Sequence, residues 1–102
     1  MRTMLKVSLA DMAAGNRAIS DGSIPKTIQS FSETAKPEAS YFFVENGVRT
    51  ALFVFDMKDA SEIPGLLEPF FMNFNAKTEL IPVMNGDELQ RGLEAWMKIA
   101  NK

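Results

Sequence analysis

Hydrophobic and polar positions alternate along the first residues. Thr3, Leu5, Val7 and Leu9 fall on one side, Met4, Lys6 and Ser8 on the other. That two-residue period predicts a first strand. Over residues 10–35 the pattern becomes helical, with Met12, Ala13 and Ile19 marking an apolar side until Asp21-Gly22-Ser23 interrupts it. Gly22 suits the end of one helix and Ser23 the N-cap of the next, with Pro25 tolerated in the new first turn. Ile24, Ile28, Phe31 and Ala35 then recur at helical spacing. The expectation is a short helix, a kink, and a second helix that ends near Lys36, because Pro37 prevents its continuation.

Period two returns at Tyr41–Asp56, which reads as two strands joined by Asn46-Gly47 within a hairpin over about 39–57. Asn-Gly favours a type I′ turn, whose two central residues both need positive φ. A two-residue loop also sets the register: Glu45 opposite Val48, Val44 opposite Arg49, Phe43 opposite Thr50, Phe42 opposite Ala51, Tyr41 opposite Leu52. One face then carries Phe42, Val44, Ala51, Phe53, Phe55 and Met57; the other carries Tyr41, Phe43, Thr50, Leu52, Val54 and Asp56. Both faces are largely apolar, so both need a cover.

Ile63, Leu66, Leu67, Phe70, Phe71 and Phe74 predict the next helix, with Ser61 as its N-cap, Pro64 in its first turn and Pro69 kinking or splitting it. The aromatic cluster near Pro69 reads as a helix packed on both sides or as a mobile lid. Residues 76–84 form a last strand, and Pro82, lacking a ladder donor, places it at a sheet edge. Asn85-Gly-Asp-Glu88 has the form of a capping box. Behind it Leu89, Leu93, Trp96, Met97 and Ala100 recur at i, i+4, i+7, i+8 and i+11, the clearest amphipathic helix in the chain. Trp96 in that stripe is expected in the core, with a substrate platform as the alternative.

The order β-α-β-β-α-β-α fits an α+β fold: a ferredoxin-like β-α-β-β-α-β unit with an extra C-terminal helix, around a four-stranded antiparallel sheet. Right-handed crossovers put both crossover helices on one face and make strands two and four the edges. The other face, with Phe43, Leu52 and Val54 at its centre, is left open. An apolar face of that size is unusual on a monomer, and the simplest cover is the same face of a second copy. The competing cover is the C-terminal helix of the same chain.

Composition narrows the function classes. The 102 residues make one domain, 1–102, with 46% hydrophobic and 24% charged residues. A net charge of −2 with scattered Lys and Arg offers no field for nucleic acid. There is neither cysteine nor histidine. That removes thiolate nucleophiles, disulfides, the Ser-His-Asp triad and the commonest metal and haem ligands. No carboxylate spacing resembles a metal loop and no Gly-rich stretch matches a phosphate fingerprint, so neither metal nor cofactor is expected. No run approaches a membrane span, and the first residues are too short and interrupted for a signal peptide. The expectation is a cytoplasmic protein.

In element order, hairpin and C-terminal helix nearly the whole chain resembles the dimeric α/β-barrel superfamily. The resemblance implies two ferredoxin-like domains whose sheets meet face to face, with a pocket between the open sheet face and the helices or the partner. The superfamily includes cofactor-independent monooxygenases, muconolactone isomerases, haem-binding peroxidase relatives and many small bacterial proteins of unknown role. This chain looks most like the last group, and its lack of histidine counts against haem-binding and histidine-based versions.

Lys6 and Ser8 join Tyr41, Thr50 and Asp56 on the face with the more interspersed polarity, so that face is assigned to the dimer cavity. Lys6 and Asp56 on adjacent strands read as an anion-binding or acid–base pair, or as a structural ion pair at the seam. Tyr41 reads as a donor to a ligand carbonyl, or as a ring buried for its own sake. Arg49 is expected in solvent. The functional expectation is a homodimer that binds an apolar or aromatic small molecule through Lys6, Tyr41 and Asp56, with Phe43, Leu52 and Val54 at the dimer face. The rivals are a cofactor-independent enzyme of monooxygenase or isomerase kind and a purely structural or regulatory module.

Overall fold

The computed structural model describes residues 1–101. The elements run β1 (Arg2–Ser8), α1 (Met12–Ser20), α2 (Ser23–Ala35), β2 (Ala39–Glu45), β3 (Val48–Asp56), a 3-10 turn at Ala60–Glu62, α3 (Ile63–Phe74), β4 (Lys77–Pro82) and α4 (Gly86–Ala100). The strands form one antiparallel sheet in the order β2-β3-β1-β4. This α+β arrangement is consistent with the ferredoxin-like order, with β2 and β4 at the edges.

The hairpin takes the register expected of its turn, from Glu45–Val48 to Tyr41–Leu52. Asn46 and Gly47 have φ of 53° and 75°, the left-handed pair that a type I′ turn requires. Pro82 is the last residue of edge strand β4.

The core lies on the helix side of the sheet. Leu5 and Phe53 stand opposite one another on β1 and β3, as do Thr3 and Phe55, and all four are buried. Phe31 from α2 packs onto that surface in tilted and edge-on contacts, its ring centroid 4.6 Å from Phe53, 5.6 Å from Phe55 and 5.7 Å from Phe70 of α3. One aromatic side chain thus joins the two crossover helices to the central strand, and such pairs add stability beyond their buried area.

Several local expectations are corrected. Gly22, at φ 77°, is itself the N-cap of α2, so Ser23 is the first helical residue rather than the cap. Asp59, not Ser61, caps the segment before α3: its carboxylate accepts the Ser61 amide at 3.2 Å. Pro69 does not split α3, and the helix continues to Phe74. Pro69 and Gly65, whose carbonyl the missing amide would have served, both face solvent, where water can replace the lost bond. In that helix Phe70 and Phe74 are buried while Phe71 and Met72 are exposed, so the aromatic cluster packs on one side only.

The largest departure is α4. Its capping box forms as expected, with Asn85 Oδ1 accepting from the Glu88 amide at 2.8 Å and Glu88 Oε1 from the Asn85 amide at 2.9 Å. Its apolar stripe, however, covers nothing. No residue of α4 is buried, and Trp96 is 59% exposed rather than in the core. The chain measures 59 × 28 × 18 Å with a radius of gyration of 16.6 Å, against roughly 13 Å for a compact chain of this length. The helix is an arm.

Candidate functional site

The open sheet face is arranged in cross-strand rows. Tyr41 of β2, Leu52 of β3, Lys6 of β1 and Glu79 of β4 form one row. Phe43, Thr50, Ser8 and Lys77 form a second; Ala39, Val54, Met4 and Ile81 form a third. Phe43, Leu52 and Val54 therefore do share the uncovered face, and Leu52 and Val54 are half-buried there by their neighbours.

Lys6 and Tyr41 stand in one row with Leu52 between them, so the sheet brings these two candidates near each other. Asp56 is not with them. It stands opposite Arg2 at the far end of the strand, roughly 13 Å along from Leu52. Its carboxylate accepts from the Met1 ammonium at 2.7 Å, and that positive charge holds its pKa below the ordinary carboxylate value. Lys6 instead pairs with Glu45, which raises its pKa. The expected Lys6–Asp56 pair is not formed: four residues of strand separate two groups whose face parity alone made them look adjacent. Tyr41 is 63% exposed.

On the other side of the sheet lies a hollow that the sequence pattern did not reveal. It has a volume of about 350 Å³ and is walled by Ile19 and Ile24 of α1 and α2, Ile28 of α2, Phe42 and Val44 of β2, and Arg49 of β3. Phe42 and Val44 project here because they share a face with Ala51 and Arg49, their register partners. Neither is buried: Phe42 is 58% and Val44 73% exposed, since α1 and α2 cover β1 and β3 but stop short of edge strand β2. The groove is that gap.

Arg49 is the groove's charged side chain, and it is not in free solvent as expected. Its Nη2 donates to Asn16 Oδ1 at 3.0 Å, which pins the guanidinium against α1. Its Nη1 is buried with no acceptor, 3.0 Å from where a Cβ on Gly15 would stand. Gly15 therefore leaves room for the guanidinium under the helix, where a side chain would press on it. The available signals in the sequence were a glycine inside a helical pattern and an arginine paired with Val44 across the hairpin. Neither shows by itself that the two meet.

No protein-family model and no curated protein sequence matches the chain. Among the described residues no group of three or more acidic, histidine or cysteine side chains is placed to hold a metal, and no helix is long and apolar enough to cross a membrane.

Proposed function

We propose that the protein binds a small apolar or aromatic molecule in the groove between β2 and the α1–α2 pair, and that it works as a homodimer joined through the open sheet face. The groove carries the reading. Its size falls in the range of small-molecule pockets, and its walls are apolar with a small number of polar groups, as such pockets are. Arg49 at its wall favours a neutral or anionic ligand over a cationic one. The open face supports the second half of the proposal, because Phe43, Leu52 and Val54, with Met4 and Ile81 beyond them, share an apolar surface that no other described element covers. A face-to-face pairing of two such sheets would produce the dimeric barrel that the element order resembles.

The test is binding of 1-anilinonaphthalene-8-sulfonate, an anionic aromatic probe, read by fluorescence titration. Ala51 lies on the groove floor, and Ala51→Phe should occupy the space while the fold persists, weakening binding by about tenfold, or roughly 1.4 kcal/mol. Equal binding by the natural chain and a folded Ala51→Phe variant would remove the groove as the site.

A further inference from the structure

Two unpartnered apolar surfaces stand at opposite edges of the sheet. One is the stripe Leu89, Leu93, Trp96 and Met97 on α4, a helix separated from edge strand β4 by only three residues. The other is edge strand β2, where Tyr41, Phe42, Phe43 and Val44 are all exposed and no residue is buried. An exposed, apolar edge strand is an aggregation hazard unless something covers it. The two surfaces also match in length, about 22 Å for the fifteen residues of α4 and about 24 Å for the seven of β2.

They cannot meet within one chain without α4 crossing its own sheet. Two-fold symmetry brings them together without that. When two sheets pack face to face about an axis parallel to the strands, the strand order reverses across the interface. β4 of one copy then lies over β2 of the other, and α4 emerges beside its partner's β2. An axis perpendicular to the strands would instead set β4 against β4 and β2 against β2, with each α4 at the edge farthest from its partner's β2. The arm is also held ready: Arg2 on β1 donates to Glu88 in the first turn of α4, and the Val83 amide donates to the Arg2 carbonyl at 3.1 Å.

Interface size points the same way. A four-stranded sheet of these strand lengths offers a face of roughly 450 Å². Two such faces together fall short of the ~1,200–2,000 Å² buried in stable specific interfaces. Two helical arms, each with a footprint of roughly 200 Å² matched by the strand beneath it, bring the total into that range.

We propose that the C-terminal helix of each copy lies along β2 of a second copy of this chain and supplies the missing wall of the groove beside Phe42 and Val44. The part concerning the groove rests on the ligand reading above, and the part concerning the arm rests on the face-to-face dimer. The site is then shared: each pocket is floored by one protomer and closed by its partner's apolar stripe.

The chain has no cysteine, so introduced pairs give a clean readout. Leu93→Cys is combined in turn with Tyr41→Cys, Phe42→Cys and Val44→Cys in the full chain, and each is oxidised mildly. A disulfide forms only where the Cα atoms come within about 7 Å. The expected result is a covalent dimer of twice 11.3 kDa from at least one pair and not from Leu93→Cys alone. An intramolecular disulfide, no disulfide from any pair, or equal dimer from Leu93→Cys alone would each overturn the arm exchange. Where a variant fails to fold, the natural chain answers through Trp96, its one tryptophan. Its emission should lie to the blue at micromolar concentration and move to the red on dilution as dimer becomes monomer. Emission of exposed tryptophan at every concentration overturns the proposal. Cross-linking without binding of the naphthalene probe would leave the arm standing and defeat the ligand reading; probe binding without cross-linking would do the reverse.

Discussion

Arg2 donates to Glu88, joining the first strand to the first turn of the last helix, 86 residues later in the chain. The same guanidinium reaches Glu38 ahead of β2, its Nε 2.6 Å from Oε1. Glu88 in turn receives the Asn85 amide, and that bond, with Arg2 beside it, holds its carboxyl below the usual carboxylate range. One cation thus fixes where α4 leaves the body, while the rest of the helix buries nothing.

Replacing Asn85 with Ala removes the side-chain half of the capping box. The expected cost to α4 is about 0.5–2 kcal/mol. It should appear as lost helical circular dichroism and faster amide exchange within Gly86–Ala100, with exchange in β1 and β3 unchanged. Unaltered exchange in α4 would show that the cap does not set its stability.

Acid should destabilise the fold. Glu88, Asp11 and Asp56 all titrate below their ordinary values when folded: Glu88 chiefly through the Asn85 amide, Asp11 through the Asn75 side-chain amide and the Ala14 N–H, Asp56 through the Met1 ammonium. A carboxyl with a depressed folded pKa contributes stability that is complete above its unfolded value and lost as pH falls through the folded one. The window therefore opens at the ordinary values of 4.5 for Glu88 and 3.8 for the two aspartates and extends downward. Urea midpoints should be level from neutral pH to about pH 5 and fall steadily toward pH 3. A midpoint that rises in acid would contradict these assignments.

Gly47→Val places a β-branched residue at φ 75°. The expected loss is on the order of 1–2 kcal/mol, the penalty of the left-handed region for a residue with a Cβ. Urea denaturation measures it directly, and an unchanged midpoint would mean that the turn relaxes to another type at no cost.

Leu52→Glu puts a carboxylate at the centre of the uncovered sheet face, between Tyr41 and Lys6 in their row. If that face joins two copies, sedimentation equilibrium should show the natural chain near twice 11.3 kDa and the variant near 11.3 kDa. Lys58→Glu, on an exposed loop outside the sheet, should leave the mass of the natural chain unaltered. A natural chain at 11.3 kDa under micromolar conditions would refute the dimer.

The elements and the sheet were legible in the residues because they depend on local chemistry. Asn46-Gly47 can take positive φ, which sets the turn; the turn sets the register; the register decides that Phe53 and Phe55 share a face with Leu5 and Thr3. The spacing of Ile28 and Phe31 sufficed to lay α2 on that face. Cap identity was less legible. Several of Asp59, Ser61, Gly22 and Ser23 can begin a helix, and the choice among them turns on backbone angles that neighbouring turns impose.

Candidate functional residues were hardest to read, because a pattern of alternation gives the face of a strand but not the distance along it or what lies above it. Lys6 and Asp56 share a face, yet their partners are Glu45 and the Met1 ammonium. Arg49 looked like a surface residue beside a turn until α1, with Gly15 in place of a bulkier residue, came down over its guanidinium. The stripe Leu89, Leu93, Trp96 and Met97 was evident as a stripe, and periodicity says only that one side of a helix is apolar. Whether that side turns inward depends on the path of the chain after β4, and in this structure no residue of α4 is buried. Residue order dictates which surfaces are apolar; which of them remain uncovered depends on how segments far apart in the chain are placed against one another.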